Sequence, residues 1–147
     1  MTGVVRRATP EDKPRLLILA EQFLRSAPHI TSQPTNTDHL GHVIDKCFAE
    51  GAVFVVDEPE TGVVGMFGMV FGNHPLTLEV TAFEVVWYML DGFRGGSAAL
   101  RLFKSAEEEA RQAGAMVLQV GSPNDKLDRV LERFGFTRRE ATYYKTL

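Results

Sequence analysis

Residues 87–104, WYMLDGFRGGSAALRLFK, join an apolar, aromatic segment to a helical pattern through a glycine-rich turn. Residues 87–90 are typical of a strand, and Asp91-Gly92 interrupts it. Arg94, Gly95 and Gly96 follow, and apolar residues then recur at helical spacing. A strand that enters a helix in this way forms either a plain tight turn or a site where backbone N–H groups bind a phosphate.

The segments after this turn alternate between helix and strand patterns. Residues 97–113 predict an amphipathic helix that Gly114 ends. Residues 116–120 predict a buried strand, residues 124–134 a short helix, and residues 136–147 a last strand.

The segments before the turn complete a mixed pattern. Val4 and Val5 predict a strand, Thr9 caps a first helix, and a second helix runs from Thr37 to Gly51. Three strands follow, at 52–56, 63–71 and 78–90, and the length of the last predicts a bulge or a bend. The order β-α-α-β-β-β-α-β-α-β predicts one mixed α/β sheet with helices on its faces, in one domain over residues 1–147.

Composition limits the function classes. The net charge of −3 and the pI of about 5.8 disfavour nucleic-acid binding, and no run reaches transmembrane length. Cys47 is the single cysteine; it lies in a helical apolar stripe and fits a reducing compartment. Since the N-terminus carries no signal-peptide pattern, we expect a cytoplasmic protein. His29, His39 and His42 lack metal-ligand spacing, so we expect no metal.

Three phosphate-binding interpretations compete at the turn. A P-loop requires a lysine that is missing, and a dinucleotide fingerprint requires a glycine spacing that Gly92, Gly95 and Gly96 do not match. The third interpretation, a pyrophosphate bound by backbone N–H groups at the helix start and by Arg94, requires only residues that are present. Taken alone, a plain structural turn explains the same residues equally well.

Two motifs in order resemble the GNAT superfamily of acyl-CoA-dependent N-acyltransferases. Its pyrophosphate-binding turn, Arg/Gln-x-x-Gly-x-Gly/Ala, resembles Arg94-Gly95-Gly96-Ser97-Ala98-Ala99, with Ser97 where glycine is usual. Its second motif resembles Asn124 followed by Glu132-Arg133-Phe134-Gly135-Phe136. The resemblance covers about residues 3–147. It implies a central, mostly antiparallel mixed sheet with its fourth and fifth strands splayed, and acetyl-CoA as cosubstrate.

The resemblance also implies residues that bind coenzyme A. Backbone groups near the end of the fourth strand would contact the acyl and pantetheine portion, and the turn would hold the pyrophosphate. Asn124 either binds the pantetheine arm or caps a helix. Ser97 either caps its helix with its hydroxyl and adds a donor to the phosphate, or marks an altered pyrophosphate-binding turn. The residues assigned to the cosubstrate are Tyr88, Met89, Leu90, Arg94, Gly95, Gly96, Ser97, Ala98, Ala99 and Asn124.

Glu84 is the first candidate for a general base. It lies mid-strand among apolar neighbours, and strict alternation places it on the face of Val86 and Tyr88. Such a carboxyl has a raised pKa and can accept a proton. The alternative is a structural glutamate bonded across the sheet. Glu79 and His74 are weaker candidates because both lie near a turn.

The general acid is the main departure from the family. Many members carry a tyrosine where this chain has Leu131. Tyr143, Tyr144, Tyr88 or water could supply the proton instead. The expected reaction is direct attack of a primary amine on the acetyl thioester.

The acceptor would bind at the first two helices, the loop 26–36 and the turn after Phe71, but the sequence does not specify the amine. The alternative to an enzyme is a coenzyme A-binding module without catalysis. The resemblance is also compatible with a homodimer.

Overall fold

The strands form one five-stranded sheet in the order β1-β2-β3-β4-β5. The computed structural model describes residues 3–28, 30 and 33–147. β1–β2, β2–β3 and β3–β4 are antiparallel pairs, and β4–β5 is parallel. This confirms the predicted mixed, mostly antiparallel sheet. The strands are β1 (Val4–Arg7), β2 (Gly51–Glu58), β3 (Gly62–Asn73), β4 (Val80–Met89) and β5 (Val117–Gln119).

Four α-helices flank the sheet, and local capping defines their starts. They are α1 (Lys13–Ser26), α2 (Thr37–Glu50), α3 (Ser97–Gln112) and α4 (Asp125–Arg133). A 3₁₀ turn at Pro10–Asp12 precedes α1, and Thr9 is its N-cap as expected. The Thr9 N–H donates to Asp12 Oδ2 at 2.8 Å. The Asn36 side chain accepts a hydrogen bond from the His39 N–H and caps α2.

The two faces of the sheet bury separate clusters. On one face, α3 packs through Ala98, Leu102, Phe103, Ala106 and Ala110 onto Phe67, Met69 and Met89. On the other face, Leu16 and Leu19 of α1 and Ile44 and Cys47 of α2 pack onto Val53, Val55, Met66 and Val86. We call these the α3 face and the α1–α2 face.

The prediction of a last strand at 136–147 was wrong. No helix or strand occurs after Arg133, and every residue from 137 onward is exposed. The segment TRREATYYKTL lacks alternating apolar residues, so little burial is available to fix it as a strand. The predicted strand at 116–120 exists as the shorter β5. It is an edge strand and not a buried one, because Val117 and Leu118 are half-buried and Gln119 is exposed.

A β-bulge in β4 confirms one expectation and corrects another. Gly68 of β3 pairs with Val86 and Met69 pairs with Glu84, which leaves Val85 without a partner in β3. Directly opposed residues share a face of a sheet, so Glu84 lies with Met69 on the α3 face. The expectation that Glu84 shares a face with Val86 and Tyr88 was therefore wrong, because the extra residue reverses the alternation.

Candidate active site

The turn between β4 and α3 requires glycine at two positions. Gly92 has φ +88° and Gly95 has φ +82°, in the left-handed region that favours glycine. Gly96 then acts as the N-cap of α3 with φ −94°. These two left-handed residues turn the chain from the end of β4 into α3.

The start of α3 is shaped to receive an anion. The first N–H groups of a helix have no partner within the helix, and here they belong to Ser97, Ala98 and Ala99. A Cβ placed on Gly96 would meet no heavy atom within 4 Å, so the surface above the turn is open. Ser97 is the first helical residue, Gly96 is the N-cap and no side chain caps the helix, so the expectation that the Ser97 hydroxyl caps α3 was wrong. A Ser97 donor to the phosphate stays a prediction. Open N–H groups at a positive helix end fit a pyrophosphate.

Arg94 folds back onto the end of β4. Its Nε donates to the Met89 carbonyl oxygen at 2.8 Å, and its Nη1 lies 2.7 Å from Asp91 Oδ1. The guanidinium carbon lies 5.2 Å from the centre of the Tyr88 ring. Arg94 therefore braces the turn, and Asp91 offsets part of its charge.

The parallel pair β4–β5 is short and then opens. Its registered pairs are Thr81 with Val117, Ala82 with Leu118 and Phe83 with Gln119, whereas β4 continues to Met89. Beyond Phe83, the edge of β4 that faced β5 has no neighbouring strand. This is the expected splay of the fourth and fifth strands, and it leaves a row of backbone groups for an extended ligand.

Glu84 is the first residue beyond the pairing. Its Oε1 accepts a hydrogen bond from the Gly121 N–H at 3.4 Å, across the opening. Burial raises the pKa of the Glu84 carboxyl to about 7, and the Gly121 hydrogen bond lowers it by less. The carboxyl can therefore gain or lose a proton near neutral pH at the point where the strands separate.

The weaker candidates for the base are engaged within the turn before β4. The Nδ1 atom of His74 accepts from the Leu76 N–H at 3.1 Å. Glu79 Oε1 accepts from the Thr77 hydroxyl at 3.1 Å. Both side chains thus contribute to the local turn.

The tyrosines proposed as acids are not gathered around Glu84. Tyr143 and Tyr144 are 90% and 78% exposed in the C-terminal segment. The Tyr88 ring lies 6.1 Å from the Phe23 ring, on the α1–α2 face. Leu131, which stands where many family members carry a tyrosine, is buried in the core.

Asn124 caps α4. Its Oδ1 accepts from the Leu127 N–H at 2.9 Å, which satisfies one of the free donors at the helix start. The side-chain NH₂ group is separate from this cap. Of the two predicted roles of Asn124, the structure therefore shows helix capping. Its binding to pantetheine stays a prediction.

Cysteine and histidine contribute little to the site. Cys47 is buried, and burial raises the pKa of its thiol to about 11, so it is a poor nucleophile. His39 and His42 are exposed on α2, and His29 lies outside the described residues. Within residues 3–28, 30 and 33–147, no three His, Cys, Asp or Glu side chains are grouped to hold a metal.

Over the same ranges, no helix is both long and apolar enough to cross a membrane.

Sequence reasoning missed an apolar cavity on the α1–α2 face. It measures about 130 Å³ and is lined by residues of α1, α2, β3 and β4, among them Phe23, Val43, Gly68 and Val85. A signal for it exists in the sequence: Gly68 interrupts an otherwise apolar strand and leaves space in the sheet surface.

Comparisons with known proteins agree with this geometry. Several solved structures share the fold. One is an acetyltransferase of Trypanosoma brucei (TM-score 0.73, 19% identity, 99% of each chain covered). Others are a tetramutant of the BH1408 protein of Bacillus halodurans (TM-score 0.75, 15% identity, 98% of this chain and 99% of that one) and AAC(6')-Iy in complex with the bisubstrate analogue CoA-S-monomethyl-acetylneamine (TM-score 0.76, 14% identity, 100% of this chain and 99% of that one). A search of curated proteins found no match.

A family model described as acetyltransferase (GNAT) family matches residues 18–136. This range includes β4, the glycine turn, α3, β5 and α4. The chain therefore belongs to the GNAT family of acetyltransferases.

Proposed function

We propose that this protein transfers an acetyl group from acetyl-CoA to a primary amine by direct attack on the thioester, with Glu84 as general base. The observation that carries the proposal is the position of the Glu84 carboxyl at the opening between β4 and β5. The same opening adjoins the part of β4 that leads into the glycine turn.

Three parts of the chain would bind coenzyme A. The N–H groups of Ser97, Ala98 and Ala99 would bind the pyrophosphate, with Gly95 and Gly96 permitting close approach. The Arg94 guanidinium, which is paired with Asp91, would also bind the phosphates. Backbone groups at Tyr88, Met89 and Leu90 would contact the pantetheine, and the Asn124 NH₂ could donate to it.

Acetyl-CoA supplies an acetyl group that is activated as a thioester. The acceptor nitrogen forms the new C–N bond and loses one proton, which Glu84 accepts directly or through water. The C–S bond breaks and the sulfur takes up one proton. Water is the best-supported donor for that proton, because Tyr143 and Tyr144 are exposed and Leu131 cannot supply one.

The test is the rate of thiol release from acetyl-CoA in the presence of amines. Glu84→Gln should lower kcat by about 10²–10⁴-fold, as removal of a general base does, and leave acetyl-CoA affinity unchanged. Because Glu84 must be deprotonated, the wild-type rate should rise with pH and level off above about 7. Glu79→Gln is the matched control and should keep both the rate and the pH profile. Unchanged turnover in Glu84→Gln would remove Glu84 as the base.

A coenzyme A-binding module without catalysis is the second candidate, and buried Leu131 at the tyrosine position favours it. A thermal shift with acetyl-CoA but no acceptor-dependent thiol release from a wide amine panel would support it. For either function, the single and buried Cys47 supports a reducing, cytoplasmic location.

A further inference from the structure

The edge of β4 that opens beyond Phe83 ends at a backbone group that can be identified from the β3–β4 ladder. The Leu90 N–H donates to the Val64 carbonyl oxygen at 2.9 Å, so Leu90 stands at a hydrogen-bonded position opposite β3. Such positions alternate with positions whose backbone groups point away from the partner strand. Met89, registered with Gly65, therefore directs its N–H and C=O away from β3, toward the edge on which β5 pairs.

The side chain of Arg94 occupies this carbonyl. Arg94 Nε donates to the Met89 oxygen at 2.8 Å. The chain returns to the edge through a turn in which the Phe93 N–H donates to the Leu90 carbonyl oxygen at 3.1 Å. Gly92, the third residue of that turn, has φ +88°, as a type II turn requires. The last acceptor on the open edge of β4 is thus already hydrogen-bonded.

Two further contacts hold the guanidinium in place. Its Nη1 lies 2.7 Å from Asp91 Oδ1, and its carbon lies 5.2 Å from the centre of the Tyr88 ring. The Tyr88 ring in turn lies 6.1 Å from the Phe23 ring of α1. A planar guanidinium with contacts in three directions is pre-organised, so the bond from Nε to Met89 has a fixed geometry.

A closed end matters because a ligand can slip along a strand edge. The pantetheine arm of coenzyme A carries amide groups, which can pair with the free N–H and C=O groups of an extended strand. Groups that point to one edge recur at alternate residues, so a slip moves the ligand by about 6.6 Å. A slip of that size would carry the thioester away from the Glu84 carboxyl.

We infer that Arg94 is a positioning residue, which ends the open edge of β4 at the Met89 carbonyl and so fixes the register in which pantetheine pairs with that edge. The inference rests on the proposed function and deepens it. The Met89 N–H then becomes the last free donor at the edge, and the fixed register brings the thioester to Glu84. This role uses the Nε donor of Arg94 and is separate from the charge that Arg94 offers to the phosphates.

Replacements at position 94 separate the donor from the charge. In Arg94→Gln, the amide nitrogen stands as far along the side chain as arginine Nε and can donate to the Met89 carbonyl. In Arg94→Met, a methyl group stands at that place. Both variants lack the charge, so a difference between them reports the donor alone.

Folding and specificity are controlled by other variants. The Arg94 side chain is 50% exposed, so its replacements should fold. Arg94→Leu is a second variant without a donor. Arg111→Met makes the same change at an exposed arginine of α3 that also pairs with carboxylates, and it is the matched control.

The first measurement is thiol release from acetyl-CoA with an amine that the wild type accepts. We expect kcat to be lower in Arg94→Met than in Arg94→Gln by about 10-fold or more, because a small displacement of reacting atoms costs this much. Isothermal titration with acetyl-CoA should give the two variants the same Kd. Arg111→Met should keep the wild-type kcat. Equal kcat in Arg94→Gln and Arg94→Met, or a difference in Kd alone, would overturn the inference.

The second measurement is amide hydrogen exchange, which needs no amine. In the free protein, the Met89 N–H at the open edge should exchange faster than the bonded Leu90 N–H. Saturating coenzyme A should slow the Met89 exchange in the wild type and in Arg94→Gln, and less in Arg94→Met and Arg94→Leu. Equal protection in all four proteins would contradict a role of Arg94 in register.

The two measurements separate the inference from the proposed function. If amines are turned over but Arg94→Gln and Arg94→Met agree in both measurements, the inference fails and the acetyltransferase function stands. If no amine is turned over but the exchange pattern appears, the acetyltransferase function fails and the positioning role stands. Absence of coenzyme A binding to the wild type would overturn both.

Discussion

The two faces of the sheet are packed differently. On the α3 face, the Phe103 ring contacts four other aromatic rings, with centroid distances of 5.3–6.0 Å. On the α1–α2 face, aliphatic side chains predominate and leave a cavity of about 130 Å³. The two packings meet at β4, where the bulge at Val85 separates them.

The difference in packing affects how firmly each part of the molecule is fixed. The dense packing of α3 fixes its N-terminus, and therefore the position of the glycine turn. The opposite face leaves space between the helices and the sheet.

The largest effect is expected from truncation of the aromatic cluster. Phe103→Ala removes a buried ring with four aromatic neighbours and should lower the free energy of unfolding by about 3–5 kcal/mol. Phe23→Ala, the same change beside the cavity, removes a half-buried ring and should cost about 1–2 kcal/mol. Urea denaturation measures both, and equal losses would contradict the difference between the faces.

The next effect concerns the glycine turn. Gly96→Glu places a carboxylate at the start of α3, where it would repel a pyrophosphate, so acetyl-CoA affinity should fall by about 100-fold or more. Stability should hold, because the position is open and an acid at a helix N-terminus is favourable. Gly96→Gln is the uncharged control of equal size and should lose less affinity. Normal affinity in Gly96→Glu, measured by isothermal titration, would reject the turn as the pyrophosphate site.

The smallest expected effect is the change that Glu84 makes to the pH dependence of stability. The native pKa of Glu84 is raised to about 7 from an ordinary 4.5. Between these values the folded state binds more protons than the unfolded one, so the contribution of Glu84 to stability falls as pH rises. Glu84→Gln should therefore be more stable than the wild type by about 1–3 kcal/mol at pH 8, with a smaller difference near pH 5. A pH-independent difference in urea denaturation would show that Glu84 is not held in a desolvated site.

Most of the proposed binding surface for coenzyme A could be predicted from local sequence. Gly92 and Gly95 adopt left-handed conformations that few other residues tolerate, and the apolar spacing after residue 97 defines α3. Asn124 marks the start of α4 because its side chain caps the helix. Such features depend on residues within one or two turns of each other, so a single sequence can reveal them.

The amino-acid sequence by itself determined the order of the elements as far as α4, the glycine turn and the presence of an acid in the long fourth strand. Only the tertiary structure decided which face that acid occupies, where β4 and β5 separate and what space lies behind the bulge. The face and the space depend on the register between β3 and β4, which sets Met69 against Glu84 and leaves Val85 unpaired. The separation depends on the β4–β5 pairing, which ends at Phe83 and Gln119. A shift of one residue reverses every later side chain in a strand, and cross-strand packing selects that shift.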